Sequence, residues 1–351
     1  MNKKRIVIKG LIILLSVLLI IIIITIGLFL NELKTLSSLE KVDEYPFYTM
    51  TYEGDYGFDD FLNIGASSDK DIEKYVIKRL LKGIDIDLNI SSAGCTAFTT
   101  QNNNGKQIFG RNFDFPYSPP LLLYTKPDNG YASVSLVNLS YVGYDENYLP
   151  EPKKLNSFLT LATPYLPFDG MNECGVTMAL LAVPYAEPPQ KEGQITLNTT
   201  TAIRLVLDKA CDVNEAVELL KQYNYYFSGG VDCHYLLADS TGKSVIVEFL
   251  EGEVKIVDTD TNYQIASNFI AYNGLNIGEG YNEFDRYETI EEHLKNNKGI
   301  ITVNDAMDLL SEVKIPNKTQ WSVVYNLVTK KFVICINEDY ETQYVFKFES
   351  E

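Results

Sequence analysis

An uninterrupted apolar run stands near the amino terminus. Residues 10–30 contain no charged side chain and are mostly Leu and Ile, and the nine residues before them carry four positive charges. At about 1.5 Å per residue, a helix of this length spans a bilayer core. No small-residue cleavage site follows, so the pattern predicts an uncleaved transmembrane anchor over residues 1–30, with the rest of the chain outside the cytoplasm. A cleaved signal peptide is the alternative.

A short leading segment, residues 31–94, follows the apolar run. Its first part is polar, and Ser68 and Asp71 then stand at the spacing of a capping box. Apolar residues recur at helical spacing after this pair: Ile72, Tyr75, Val76 and Leu80. The pattern predicts a helix that ends near Gly83 and packs on another part of the molecule.

From Cys95 onward the pattern is typical of strands separated by turns. Asn102-Asn103-Asn104-Gly105 lies between two apolar stretches and predicts a hairpin. The predicted strands are Cys95–Thr100, Gln107–Asn112, His234–Ala238, Ser244–Leu250, Glu253–Val257, Ser322–Leu327, Phe332–Ile336 and Tyr344–Phe348. The predicted helices are Thr201–Ala210, Asn214–Tyr223, Asp285–Asn296 and Asn304–Val313. Runs of strands and runs of helices favour an α+β domain over residues 95–351, with antiparallel sheets and helices on their outer faces.

Composition excludes several functional classes. The 351 residues include 30 Lys and Arg against 47 Asp and Glu, for a net charge of −17, so no basic surface for nucleic acid is expected. Two histidines exclude a three-histidine metal site, and no metal or organic cofactor is implied. Five cysteines make a disulfide framework unexpected, and Cys211 and Cys335 are predicted to be core residues.

Cys95 is the best candidate for a nucleophile. Arg111 and Asp114 follow it by 16 and 19 positions, and the hairpin can return both to its side. A nearby guanidinium favours the thiolate form of a cysteine. If the Gly94–Cys95 bond were cut, the α-amine of Cys95, with a reference pKa of about 7.7–8.0, could act as the base, and Asp114 could orient it.

Five segments resemble the choloylglycine hydrolase and penicillin V acylase family, which are linear amide C–N hydrolases with an amino-terminal nucleophile (Ntn hydrolases). The segments are Gly94-Cys95-Thr96-Ala97-Phe98, Gly110-Arg111-Asn112-Phe113-Asp114, Asp169-Gly170-Met171-Asn172-Glu173, Ala266-Ser267-Asn268 and Asp285-Arg286-Tyr287. The leading segment is similar to that of precursors related to acid ceramidase and to penicillin-forming acyltransferases. The resemblance implies a four-layer αββα sandwich preceded by a pro-segment.

The resemblance also implies roles for five residues. Cys95 would attack the amide carbonyl and form a thioester, Arg111 would favour the thiolate, and Asp114 would orient the α-amine. Asn268 would donate to the oxyanion or position the amine, and Arg286 would complete the polar network. The chain departs from the family pattern at Ala182, where an oxyanion-side donor is expected. Autocatalytic cleavage at Gly94–Cys95 would expose the amine, and Gly94 is expected to permit the strained backbone that this attack needs.

Three alternatives remain open from the sequence. The thioester could pass its acyl group to an amine, which would make the protein an acyltransferase. A papain-like peptidase would use His234 as its base, and a non-catalytic extracellular binding protein is the third alternative. The expected partner is a small N-acyl amide, and the acidic charge mildly disfavours anionic substrates. A homo-oligomer is also considered.

Overall fold

The structure, a computed structural model of the chain, describes residues 3–83, 94–274 and 283–348. Residues 84–93, the part of the predicted leading segment just before Gly94, lie outside the described residues. Among the described residues, no helix has both the length and the apolar composition that crossing a membrane requires, so the anchor predicted over residues 1–30 is not supported.

The larger sheet is built from strands of the leading segment and of the first part of the α+β domain, between residues 40 and 257. Its strands are β1 (Glu40–Lys41), β2 (Tyr48–Tyr52), β5 (Pro120–Thr125), β6 (Ser133–Asn138), β7 (Pro167–Asn172), β8 (Thr177–Ala182), β11 (Cys233–Ala238), β12 (Ser244–Leu250) and β13 (Glu253–Val257). In the part of the chain that is described, they lie in the order β1-β2-β5-β6-β7-β8-β11-β12-β13. β2 runs parallel to β5, whereas the other neighbours are antiparallel.

The smaller sheet carries the predicted hairpin. Its strands are β3 (Gly94–Gln101), β4 (Gln107–Asp114), β14 (Gln264–Ala266), β15 (Thr319–Asn326), β16 (Lys331–Ile336) and β17 (Asp339–Lys347). Over the described ranges they form an antiparallel sheet in the order β14-β3-β4-β15-β16-β17. A separate parallel pair consists of β9 (Thr196–Asn198) and β10 (Asn224–Tyr226).

Helices cover the outer faces of the two sheets. The α-helices are α1 (Lys3–Leu28), α2 (Leu30–Ser37), α3 (Phe58–Leu62), α4 (Asp69–Arg79), α5 (Thr199–Lys209), α6 (Val213–Leu220), α7 (Glu283–Asn296) and α8 (Val303–Glu312). Helix α5 packs on β7 and β8, and α8 packs on β4 and β15. The predicted α+β class is therefore confirmed, and the predicted strands and helices after Cys95 are present with small shifts at their ends.

Two local predictions were wrong. Ser68 is the N-cap of α4, but its hydroxyl donates to the Asp71 carboxylate at 2.9 Å, so no capping box forms. Cys211 is not an isolated core residue, because it forms a disulfide with Cys174. This bond joins the turn after β7 to the segment between α5 and α6, two regions that lie 37 residues apart in the chain. Cys335 is buried and unpaired, as predicted.

The leading segment is built into the core of the molecule. β2 pairs with β5 over five residues, and Phe47 and Tyr48 are almost fully buried. The Tyr56 hydroxyl donates to both carboxylate oxygens of Asp208 at 2.8 and 2.7 Å, and Asp208 also pairs with Arg204 at 3.0 Å. The segment thus completes the larger sheet and also satisfies a buried ion pair beneath it.

Candidate active site

The β3–β4 hairpin brings the predicted nucleophile to its guanidinium neighbour. Cys95 is opposite Phe113, and Arg111 projects from the same face of the sheet two residues away. Nη2 of Arg111 lies 3.2 Å from Sγ of Cys95. Both side chains are fully buried, so the charge of the guanidinium acts on the sulfur with little screening by solvent.

Asp169 on the facing sheet fixes the direction of Arg111. Its Oδ2 accepts from Nη1 of Arg111 at 2.5 Å, and its carboxylate also accepts from Trp321 at 3.2 Å and from Tyr325 at 2.6 Å. Nη2 of Arg111 also donates to the carbonyl of Leu180 at 3.0 Å. The sequence motif contained Asp169, but no function was predicted for it, because its partners Arg111, Trp321 and Tyr325 lie 58 residues before it and more than 150 residues after it.

A second network joins the three other predicted residues to the backbone nitrogen of Cys95. Arg286, on the first turn of α7, donates to Asp114 at 2.7 Å and to Oδ1 of Asn268 at 2.9 Å. The same Oδ1 accepts from the Cys95 N–H at 3.0 Å. The structure therefore brings all five predicted site residues together around one cysteine.

Both Asp114 and Asn268 were candidates for positioning the amine, and in the structure Asp114 has other partners. The two carboxylate oxygens of Asp114 accept from Arg286 and, at 2.5 Å, from Thr319. It is Asn268 that contacts the nitrogen of Cys95. The sequence could not reveal Thr319, since it is brought to the site only by the pairing of β15 with β4.

Burial opposes the expected activation of the thiol. It raises the pKa of Cys95 above its ordinary value, and Arg111 opposes this shift without cancelling it. In the uncleaved chain, the guanidinium alone therefore does not make Cys95 a thiolate. Deprotonation of this thiol near neutral pH would need a base at the sulfur.

The structure shows the surroundings of Gly94 and Ala182. A Cβ at Gly94 would lie 3.5 Å from the Asp114 Cβ, which is ordinary contact, so the folded backbone does not require glycine there. Ala182 has no donor side chain, but its carbonyl accepts from Nδ2 of Asn268 at 2.7 Å. The Ala182 position therefore orients the Asn268 amide through its backbone.

His234 is bound to Glu248. Its Nδ1 lies 3.1 Å from Oε1 of Glu248, and both side chains are buried. Glu248 also accepts from the backbone nitrogens of Ala271 and Tyr272, at 2.8 and 3.0 Å. The pair thus holds the turn that follows Asn268, whereas the papain-like alternative would place His234 on the sulfur.

An aromatic stack leads from the thiol face to an open groove. Phe113 stacks on Trp321 with 3.9 Å between ring centroids and on Phe115 at 5.5 Å. Phe115 lines a cavity of about 410 Å³, which adjoins a second cavity of about 530 Å³. We call the two together the Phe115 groove; it is lined by residues 115–117, 140, 143–149, 151 and 154–156.

Known sequences resemble the region that starts at this cysteine. The family described as linear amide C-N hydrolases, choloylglycine hydrolase family, matches residues 95–319. A bile salt hydrolase/transferase from Clostridium perfringens (strain 13 / Type A) is 26% identical over 214 residues, which is 57% of this chain. The match spans 63% of that relative's own length.

Solved structures are similar in fold. A conjugated bile acid hydrolase variant from Clostridium perfringens superposes with a TM-score of 0.51 at 18% identity, covering 72% of this chain and 92% of that one. Penicillin V acylase from Agrobacterium tumefaciens gives a TM-score of 0.48 at 18% identity, with 72% and 84% covered. The first of these likenesses shows that the chain has an Ntn-hydrolase-like α+β fold.

Proposed function

This chain belongs to the choloylglycine hydrolase family of linear amide C–N hydrolases, and we propose that it hydrolyses an N-acyl amide with Cys95 as its nucleophile. The observation that carries the proposal is the pair of contacts at Cys95. Its sulfur lies 3.2 Å from the Arg111 guanidinium, and its nitrogen lies 3.0 Å from Asn268. Polar partners therefore hold both the sulfur of Cys95, which would react, and its nitrogen, which would become the base.

The proposed reaction has two steps. The Cys95 sulfur, deprotonated by the α-amine of the same residue, attacks the amide carbonyl; the C–N bond breaks, and the α-ammonium gives its proton to the leaving amine. The α-amine then takes a proton from water, which attacks the thioester; the C–S bond breaks, the acid leaves, and the α-ammonium returns the proton to the sulfur. An amine in place of water would give acyl transfer from the same intermediate.

Asn268 has two functions in this proposal. Its Oδ1 holds the nitrogen of Cys95, and its Nδ2, already directed by the Ala182 carbonyl, has a second hydrogen for the developing oxyanion. Loss of one such donor typically lowers the rate by about 10²–10³-fold. Arg286 keeps Oδ1 in place, because it bridges Asn268 and Asp114.

The α-amine requires cleavage of the chain before Cys95. The family match begins at Cys95, which supports cleavage of the Gly94–Cys95 bond and a domain division at residue 95. The Cys95 thiol would attack the Gly94 carbonyl, the Gly94–Cys95 C–N bond would break and free the α-amine, and water would hydrolyse the resulting thioester. Mass spectrometry of active protein should then find a chain of 257 residues (351 − 94) that starts with Cys95. An active preparation that contains only the intact chain would contradict this step.

Substitution of the nucleophile tests the activity itself. Cys95→Ala should lower the release of amine from a panel of N-acyl amides by more than about a hundredfold, since both steps pass through the sulfur. Cys335→Ala is the matched control, because Cys335 is also a buried free thiol but lies on β16. Equal activity of the two variants would rule out Cys95 as the nucleophile, whereas ligand binding without any release of amine by the wild type would favour a binding protein.

We also propose that the catalytic domain lies outside the cytoplasm. The Cys174–Cys211 disulfide supports this location, because such bonds persist in oxidising compartments. Treatment of intact cells with a protease that cannot enter them should degrade the domain; complete protection would contradict this location.

A further inference from the structure

The Phe115 groove is connected to the sheet face of Cys95 through two rings, because Phe115 lines the groove and stacks on Phe113, which is opposite Cys95. Arg111 and Phe113 project from one face of β4, and Phe115, just beyond the end of that strand, connects the stack beside Cys95 to the groove wall. Tyr117 and Tyr144 add further aromatic surface. A substrate whose carbonyl reaches Cys95 therefore has this groove as adjoining space for the rest of its structure.

Acidic side chains dominate the charge of the groove. Asp145 and Glu146 are exposed on its rim, and among the described residues neither forms an ion pair. Glu151 also lines the groove, but it pairs with Lys154, the single basic side chain of the described lining. The groove thus carries about two uncompensated negative charges.

The cations near the sulfur are already paired. Arg111 forms its ion pair with Asp169 at 2.5 Å, and Arg286 forms its pair with Asp114 at 2.7 Å. A substrate with a carboxylate or a sulfonate would have to displace one of these buried carboxylates to find a positive partner, and that displacement would leave a buried charge uncompensated.

We propose that the Phe115 groove selects substrates by charge, so that N-acyl amides with a neutral or cationic group at the groove are preferred over those with an anionic group. This inference rests on the proposed amide hydrolysis. Asp145 and Glu146 repel an anionic group and attract a cationic one, and the aromatic walls accept the apolar part of either. The hydrolase relative is named for bile salts; the charge of this groove points to a different class of amide.

Three amides with the same acyl chain test the selection. We would use the decanoyl amides of ethylenediamine, ethanolamine and glycine, which are cationic, neutral and anionic at neutral pH. The expected order of kcat/KM at low salt is cationic, neutral, anionic, with about three- to tenfold between the extremes because the rim carboxylates are exposed and partly screened. High salt should reduce the differences in kcat/KM among the three amides.

Charge-removing variants then identify the source of the selection. The double variant Asp145→Asn/Glu146→Gln should reduce the discrimination to less than about twofold, since the two charges are gone. The amide introduced by Asp145→Asn keeps an oxygen for the turn contacts that Asp145 now makes with the nitrogens of Asn147 and Tyr148. The matched control, Glu192→Gln/Asp260→Asn, changes the net charge equally at exposed positions outside the groove and should keep the wild-type order.

Thiol reagents give a second measurement that does not need amide cleavage. The cationic aminoethyl methanethiosulfonate should modify Cys95 faster than the anionic sulfonatoethyl reagent. The double variant Asp145→Asn/Glu146→Gln, the groove variant, should lose this difference in rate. Peptide mass spectrometry identifies the modified cysteine. If no amide is cleaved, the proposed function fails, while the reagents still decide the charge selection. Equal or faster reaction of the anionic compounds in the wild type, or an unchanged order in the groove variant, would overturn the inference.

Discussion

Asp169 determines where the Arg111 guanidinium can lie. Asp169→Asn removes the charge that pairs with Arg111, so the buried guanidinium loses its counter-ion. We expect the free energy of unfolding to fall by about 3–5 kcal/mol, and kcat to fall even at temperatures where the variant is folded. Urea unfolding and kinetics on the folded protein measure the two effects.

Asp208→Asn is a matched control for this variant. Asp208 is equally buried and pairs with Arg204 at 3.0 Å, but its contacts run to Tyr56 on the leading segment. It should lose comparable stability and keep its kcat. Equal kcat values for the two folded variants would show that Asp169 has only a structural function.

The thiol of Cys95 offers a pH-dependent prediction for the intact chain. Because burial raises its pKa above the ordinary value of 9.0, alkylation by iodoacetamide should follow a titration with its midpoint above pH 9. A raised folded-state pKa also means that the associated stability is present at lower pH and is lost as pH rises through that pKa. A midpoint below pH 9 would show that Arg111 outweighs burial.

At the scale of elements, β11 and β12 position the turn that follows Asn268. Glu248 accepts from His234 and from two backbone nitrogens of this turn, and a glutamine would turn one acceptor oxygen into an NH₂ group. Glu248→Gln should therefore lower kcat by about tenfold, with a smaller change in KM, because Asn268 would be held less firmly. A kcat like that of the wild type would contradict a positioning function.

The same substitution should change the pH dependence of stability. Burial alone raises the pKa of Glu248, but the hydrogen bonds from His234, Ala271 and Tyr272 hold it below the ordinary value of 4.5. Its stabilisation is therefore present above about pH 4.5 and lost as pH falls through the lower folded-state pKa. Glu248→Gln should therefore make the free energy of unfolding less dependent on pH below about 4.5. Thr100→Val is the control, since it removes a buried hydrogen bond to Gly299 at the end of β3 far from Cys95, and it should leave this pH dependence unchanged.

The local sequence pattern predicted the helices and strands better than it predicted the side-chain contacts between residues. The Asn-Gly pair correctly predicted the turn of the β3–β4 hairpin. Such a turn needs a residue that tolerates a positive φ, and Gly105 adopts φ +69°. Ser68 and Asp71 had the right spacing, yet their side chains bond to each other. The Cys174–Cys211 disulfide was missed, since only the fold brings β7 and the end of α5 together.

In the candidate site, too, local features were predicted and long-range contacts were missed. The motif spacing identified Cys95, Arg111 and Asp114 because a hairpin is a local structure. Asp169 and Thr319, which hold those side chains, come from strands that pair or face one another only in the folded molecule. The sequence therefore predicted the reacting residue and, through the family resemblance, Asn268 and Arg286, but it did not predict that Asp169 and Thr319 hold Arg111 and Asp114.

At the scale of the whole molecule, the leading segment should remain bound after chain cleavage. Its β2 strand pairs with β5, and Tyr56 donates to the buried Asp208. Size-exclusion chromatography of the cleaved protein should therefore give one peak that contains both chains, and denaturant should separate them. Elution of a fully active catalytic chain alone would contradict this expectation.

The place of β1 and β2 at the margin of the larger sheet affects how the enzyme can be produced. A gene shortened to begin at Cys95 would leave the backbone amides and carbonyls of β5 that face β2 unpaired, while β5 stays paired with β6. An exposed edge strand of this kind promotes aggregation. Supplying residues 31–94 as a second polypeptide in the same host should restore soluble protein. The leading segment, which resembles a pro-segment, would then protect the mature enzyme from aggregation for as long as the two chains stay together.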